Sequence, residues 1–142
     1  GNVTDYEVIR RDIARLAGQY DIRKIGYDRW NSSQLVIDLV NDGLPMDGFQ
    51  QSISNISPPT KEFERLARSG DLEHYGNPVL RWMVSNVVVY RDANDNLKPV
   101  KNRSPEKIDG VVAAIEAIGE WMSAQRTPPA RSIYEERGLR TF

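Results

Sequence analysis

The sequence predicts an α/β fold, and three observations carry the prediction. Short β-type runs alternate with amphipathic stretches of helical period. The pairs Ser57-Pro58, Asn77-Pro78 and Ser104-Pro105 mark helix starts, and a polar turn from Asp92 to Asn96 separates two apolar runs. At 142 residues the chain fits one domain, long enough to bury roughly two thirds of the surface its unfolded form exposes.

Each element has its own local reason. Thr4 and Glu7 have capping-box spacing, and Tyr6, Ile9, Ile13, Leu16 and Tyr20 follow at steps of three and four, which predicts an amphipathic helix. Ile22 to Asp28 carries Ile25 and Tyr27 at alternate positions and ends before the polar Asn31-Ser32-Ser33, so it reads as a strand with Asp28 at its carboxyl end. Leu35, Val36, Leu39 and Val40 form a second helical stripe, stopped at Asn41-Asp42-Gly43, where Gly43 can take the left-handed cap conformation. Leu44 to Gln50 reads as a second strand, placed at an edge by Pro45 and Gly48.

The three polar-proline pairs then each predict a helix start, because proline at the first helical position loses no hydrogen bond. Phe63, Leu66 and Ala67 supply the apolar side of the first of these helices before Gly70, and Val79, Leu80, Met83 and Val84 that of the second. Val87 to Tyr90 and Leu97 to Val100 flank the Asp92–Asn96 turn as a β-hairpin. The last helix carries a buried stripe of Ile108, Val111, Val112, Ile115, Ile118 and Met122. Past Gln125 the composition turns to Arg, Pro and Ser, predicting a domain over residues 1–125 and an extended tail over 126–142. A chain that opens on a helix has few strands for a sheet covered on both faces, which points to strands upstream of it.

Composition narrows the chemistry. With 19 basic and 20 acidic residues the net charge is −1, so attraction to a polyanion requires a local basic patch. No cysteine is present, which excludes disulfides, thiolate metal sites and cysteine nucleophiles. Neither a signal-length apolar run nor a membrane-length one occurs, and the chain reads as cytosolic, with no membrane partner. There is no phosphate-binding G-x-x-x-x-G-K-[ST] loop and no G-x-S-x-G elbow. His74 is the single histidine, so zinc would depend on carboxylates for its other ligands, and a triad would need His74 as its base.

Two carboxylates stand out. Asp28 ends an apolar strand, where α/β sheets place ligands, and a capping or salt-bridged aspartate is the alternative. Asp109 sits near the start of the last helix, on the margin of its buried stripe. There it either binds an ion or serves the helix dipole. Two aspartates on separate elements suit Mg²⁺ or Mn²⁺, which prefer oxygen ligands. A pair of ions usually requires a third carboxylate, and Asp38, Asp42 and Asp47 occur in helical or turn-like sequence. Arg29, Lys98, Lys101, Arg103 and Lys107 bracket the two aspartates, either as phosphate contacts or as a solvated charge scatter. Trp30, Trp82 and Trp121 read as core or interface anchors.

Four blocks carry a resemblance. Tyr27-Asp28-Arg29-Trp30, Ser57-Pro58-Pro59-Thr60-Lys61-Glu62, Gly76-Asn77-Pro78-Val79-Leu80-Arg81-Trp82-Met83 and Lys107-Ile108-Asp109-Gly110 stand in the order and spacing of the phage terminase large subunit family, and the chain resembles its HK97-like branch. Ser132 to Gly138 also resembles that family's C-terminus. The resemblance implies an RNase H-like nuclease fold lacking its opening strands, with a mixed sheet flanked by helices and a β-hairpin near the active site. It implies a metal-dependent endonuclease that cuts concatemeric viral DNA by two-metal phosphodiester hydrolysis. Asp28 is then the second acidic ligand and Asp109 the third, the first lying on a strand upstream of Gly1. Mg²⁺ or Mn²⁺ as cofactor, double-stranded viral DNA, portal protein and terminase small subunit as partners, and the host cytoplasm as location follow from the same resemblance. A non-catalytic module that docks the packaging motor to portal or another terminase subunit is the competing expectation.

Overall fold

The computed structural model describes residues 5–29 and 34–126. Its elements run α1 (Tyr6–Ala17), β1 (Ile25–Asp28), α2 (Gln34–Asn41), β2 (Met46–Phe49), α3 (Ile53–Ser69), α4 (Pro78–Asn86), β3 (Val89–Arg91), β4 (Leu97–Pro99) and α5 (Asp109–Arg126). The α/β class holds. In place of the expected mixed sheet, the described residues form two separate ladders, β1 with β2 in parallel and β3 with β4 antiparallel as the expected hairpin. The cause lies in β4, whose Leu97 and Pro99 are buried. The Leu97 N–H donates 3.0 Å to Ser57 Oγ on α3 and Pro99 has no N–H, so this edge docks on a helix instead of a third strand.

Parallel strands need a crossover, and α2 supplies it, burying Leu39. It stops as expected. Gly43 takes φ +82°, and the N–H groups of Gly43 and Leu44 return to the carbonyls of Val40 (2.9 Å) and Leu39 (3.1 Å). Helix α1 is capped by Asp5, whose Oδ1 accepts from Glu7 N at 3.0 Å, instead of by Thr4, which lies outside the described residues. Its apolar stripe buries no residue, and Arg10 ties the helix to Asp42 through a two-pronged bond of 2.6 Å per arm.

Two of the three predicted helix starts move. Helix α3 begins at Ile53 under the cap of Ser52, so Pro58 and Pro59 lie inside it. The missing N–H groups strip partners only from carbonyls near the helix start, while Thr60 Oγ1 returns 2.7 Å to Ile56 O. Ser57, buried at the junction, spends its hydroxyl on Leu97. Ser104 likewise closes the hairpin instead of capping α5: its Oγ accepts from Val88 N at 3.2 Å and donates to Val100 O at 2.9 Å, and α5 starts at Asp109. Asn77-Pro78 opens α4 as predicted, with Asn77 Oδ1 accepting from Val79 N and Leu80 N, both at 3.0 Å. In the hairpin turn, Asp92 accepts from the backbone of Asn94 and Asn96.

The core lies between α3 and α5, where Phe49, Ile56, Phe63, Val111 and Ile115 form one cluster, flanked by Leu80 and Met83 of α4. Burying each such side chain contributes about 1.5–3 kcal/mol. Of the α5 stripe, Ile108, Val111, Val112 and Ile115 are buried, and Ile118 and Met122 are half-buried. Gly119 lets α5 approach β2 closely, since a Cβ there would stand 2.7 Å from Phe49 Cε2. Trp82 and Trp121, expected as anchors, are about half exposed (45% and 52%). Trp30 and residues 127–142 of the expected tail lie outside the described residues, while Arg126 still belongs to α5. No helix among the described residues is long and apolar enough to cross a membrane.

Candidate active site

Strands β1 and β2 end together, Asp28 opposite Phe49, so Asp28 stands half-buried at the carboxyl edge of a parallel pair. Arg29 turns back across β2. Its Nε donates 2.7 Å to Gly48 O, and a side chain at Gly48 would fill the space Arg29 occupies, its Cβ standing 2.6 Å from Arg29 Cγ. Arg29 is thereby fixed to the strand beside Asp28.

Helix α5 brings the second aspartate. Ile108, 1% exposed, anchors the chain just before the helix, and the Gly110 N–H rests on Met83 Sδ at 3.2 Å. Asp109 is the first residue of α5 and is exposed, not on the margin of the buried stripe, because that stripe begins one residue earlier and continues at Val111. Its Oδ1 accepts from Lys101 Nζ at 2.7 Å. That bond, with the charges of Lys101 and Lys107, holds the Asp109 carboxyl below the usual carboxylate range against a smaller opposing effect of burial.

The structure adds a carboxylate that sequence reading missed. Glu116, two turns along α5 from Asp109 and about 10 Å further along its axis, is buried at 8% exposure. Its Oε1 accepts from Gln51 Nε2 at 2.6 Å. Burial pushes its carboxyl upward, the Gln51 bond opposes this, and the negative charge of Asp28 raises it further. Glu116 lines a surface pocket together with Ile25 and Gly26 of β1. A signal existed: Glu116 lies four residues after Val112, in phase with the apolar stripe, where an unpaired charge is expensive.

The other carboxylates considered from sequence are committed elsewhere. Asp42 is held by Arg10, Asp47 by Lys24 at 2.6 Å, and Asp38 accepts from Gln34 at 3.0 Å. Lys24 also reaches Glu120 at 3.2 Å, and these two acidic partners raise its own pKa. His74 is exposed.

The basic residues gather around the hairpin. Lys98 Nζ donates 3.2 Å to Gln51 O, Lys101 holds Asp109, and Arg103 and Lys107 are exposed. Lys98, Lys101 and Arg103 line one cleft of about 500 Å³ beside the start of α5. Asp28, Glu116 and Asp109 offer the hard oxygen donors that Mg²⁺ or Mn²⁺ prefers, but no three acidic or histidine side chains among the described residues converge closely enough to hold an ion by themselves. The donor chemistry fits such an ion, and the described residues supply part of a ligand set.

A parallel strand end bearing an aspartate, a helix that opens on another, and cations gathered beside that helix define a class: an α/β domain with acidic and basic groups around the first half of α5. Comparison with known proteins names it. The family model for the terminase large subunit, endonuclease domain, matches residues 1–125. The chain belongs to that family. It is 32% identical over 121 residues to the terminase large subunit of Enterobacteria phage HK97, covering 84% of this chain and 24% of that protein. Protein YmfN of Escherichia coli K12 is 31% identical over 144 residues, covering 100% of this chain and 32% of that protein. The crystal structure of the HK97 bacteriophage large terminase superposes with a TM-score of 0.76 at 33% identity, over 84% of this chain and 26% of that one. The chain therefore spans about a third or less of the length of the relatives it matches.

Proposed function

We propose that this chain is part of a divalent-ion-dependent endodeoxyribonuclease that cuts concatemeric viral DNA during packaging, working in the cytoplasm of the bacterial host. The match of residues 1–125 to the endonuclease domain of the terminase large subunit carries this reading. Asp28 at the carboxyl edge of β1 and Asp109 at the start of α5 supply oxygen donors of the kind such an activity uses. On this reading the fold is the RNase H-like one, and the β1–β2 pair carrying Asp28 is part of its sheet. Portal protein and the terminase small subunit are partners of that whole.

Asp28 and Asp109 would hold Mg²⁺ or Mn²⁺ as part of the ligand set. When bound, two such ions supply an activated water and stabilise the leaving oxygen of the phosphodiester. This chain's own residues do the remainder. Val111 and Val112 bury the first turn of α5 and fix where Asp109 points. The Gly48 carbonyl holds Arg29 beside Asp28. Lys101, which holds Asp109 in this structure, would be free to contact a phosphate were that carboxylate engaged by an ion, with Lys98, Arg103 and Lys107 along the same edge.

The test uses the full-length protein and supercoiled plasmid in Mn²⁺. Asp28→Asn and Asp109→Asn each abolish nicking while leaving thermal unfolding of the domain in place. Undiminished nicking by Asp109→Asn would remove that residue from the site.

A further inference from the structure

The cleft beside the hairpin is more than a row of cations. Its walls carry Lys98, Lys101 and Arg103 and no carboxylate, in a chain whose net charge is −1. Its floor is apolar, backed by Ile56 and Val112. Tyr90 lines it as well, and Tyr90 pairs directly with Lys98 across the β3–β4 ladder. Directly paired residues share a face, so an aromatic ring and an ammonium stand side by side on the hairpin surface that faces the cleft. Lys101 leaves for its bond to Asp109, which places the cationic end of the cleft next to that carboxylate. Arg103 has no ion-pair partner among the described residues.

A phosphate alone would use the cations and leave the ring and the apolar floor without a role. The flat face of a base needs such a ring and floor. A base inside a duplex cannot reach them, because its faces are covered by its neighbours in the stack. We infer that the cleft between the β3–β4 hairpin and the start of α5 is a nucleotide subsite, taking one unpaired nucleotide of DNA with its phosphate on Lys101 and Arg103 and its base against Tyr90. The inference rests on the nuclease reading for the choice of DNA, and it adds that the domain grips a frayed or single-stranded position next to the place of cutting.

The full-length protein is titrated in EDTA against a fluorescently labelled oligothymidylate and, separately, a blunt duplex of equal length, both followed by anisotropy. Tyr90→Ala weakens single-strand binding roughly 5- to 150-fold, the range for losing one stacked base, and leaves the blunt duplex unchanged. Tyr90→Phe, which keeps the ring, binds as the unmodified protein does and controls for folding. Arg103→Ala weakens both. Thymidine 5′-monophosphate displaces the single strand at concentrations where inorganic phosphate does not. Asp109→Asn releases Lys101 and binds the single strand more tightly in EDTA.

Equal binding of the single strand by Tyr90→Ala and the unmodified protein overturns the subsite, and so does inorganic phosphate competing as well as the mononucleotide. Because no divalent ion is present, these outcomes are independent of plasmid nicking in Mn²⁺. A failed subsite and a failed nuclease assignment are told apart.

Discussion

Replacing Gly119 with alanine sets two known effects against each other at one position. Alanine inside a helix is favoured over glycine by about 1 kcal/mol. In this fold, however, the added Cβ meets Phe49 Cε2 at 2.7 Å, Cζ at 3.2 Å and Pro59 Cγ at 3.4 Å. The first distance is too short to survive, and Phe49 belongs to the core cluster, so its ring moves only by disturbing Ile56, Phe63 or Ile115. Overpacking of this kind costs about 1–3 kcal/mol. The net expectation for Gly119→Ala is a loss of up to about 2 kcal/mol, or roughly 3 °C in Tm per kcal/mol for a chain of this size. Urea unfolding followed by the emission of Trp82 and Trp121 measures it, with the slope unchanged if only stability has moved. Phe49→Leu should cost less on the Gly119→Ala background than alone, with a coupling of about 0.5–2 kcal/mol. A gain of the full 1 kcal/mol from Gly119→Ala would refute the close approach of α5 to β2. That approach also sets how Asp109 and Glu116 stand relative to Asp28, so nicking by the full-length variant should fall even where the fold persists.

Other substitutions test the site from different sides. Glu116 has a raised folded pKa, so as pH climbs past the ordinary glutamate value the unfolded chain ionises first and stability falls until the folded carboxyl also ionises. Glu116→Gln should therefore be more stable than the unmodified chain at neutral pH, with the difference closing below about pH 4. A difference constant from acid to neutral pH would mean that the carboxyl is solvated. Ser57→Ala leaves the buried Leu97 N–H without its acceptor, a loss of about 1–3 kcal/mol, and amide exchange at Leu97 should accelerate more than at Val111; equal protection at the two positions contradicts the bond.

Local signals were legible where the backbone itself decides. Asn77-Pro78 opens α4 because its cap bonds lie within three residues, Gly43 stops α2 through its own φ, and the Asp92–Asn96 turn is closed by its own carboxylate. Ser57-Pro58 and Ser104-Pro105 look identical in sequence, yet their serines bond to Leu97 and Val88, partners set by tertiary packing that no local spacing encodes. The same limit applied to the site. Asp28 and Asp109 were picked out by strand end, helix start and family blocks. Glu116 was passed over because its partner, Gln51, is distant in sequence, and the bond that Lys101 makes to Asp109 comes from the segment between β4 and α5, which no local spacing reveals.

The Lys101–Asp109 pair links two binding events that otherwise look separate. While the pair is closed, the lysine neutralises a carboxylate that an ion needs and is itself withheld from phosphate. On the proposed reading, an ion that captures Asp109 sets one more cation free for DNA, and DNA that captures Lys101 bares one more oxygen ligand for the ion. By thermodynamic reciprocity each must then raise the affinity of the other by the same factor. Adding divalent ion should accordingly tighten DNA binding more in the unmodified protein than in Lys101→Ala, and equal tightening in the two would sever the link.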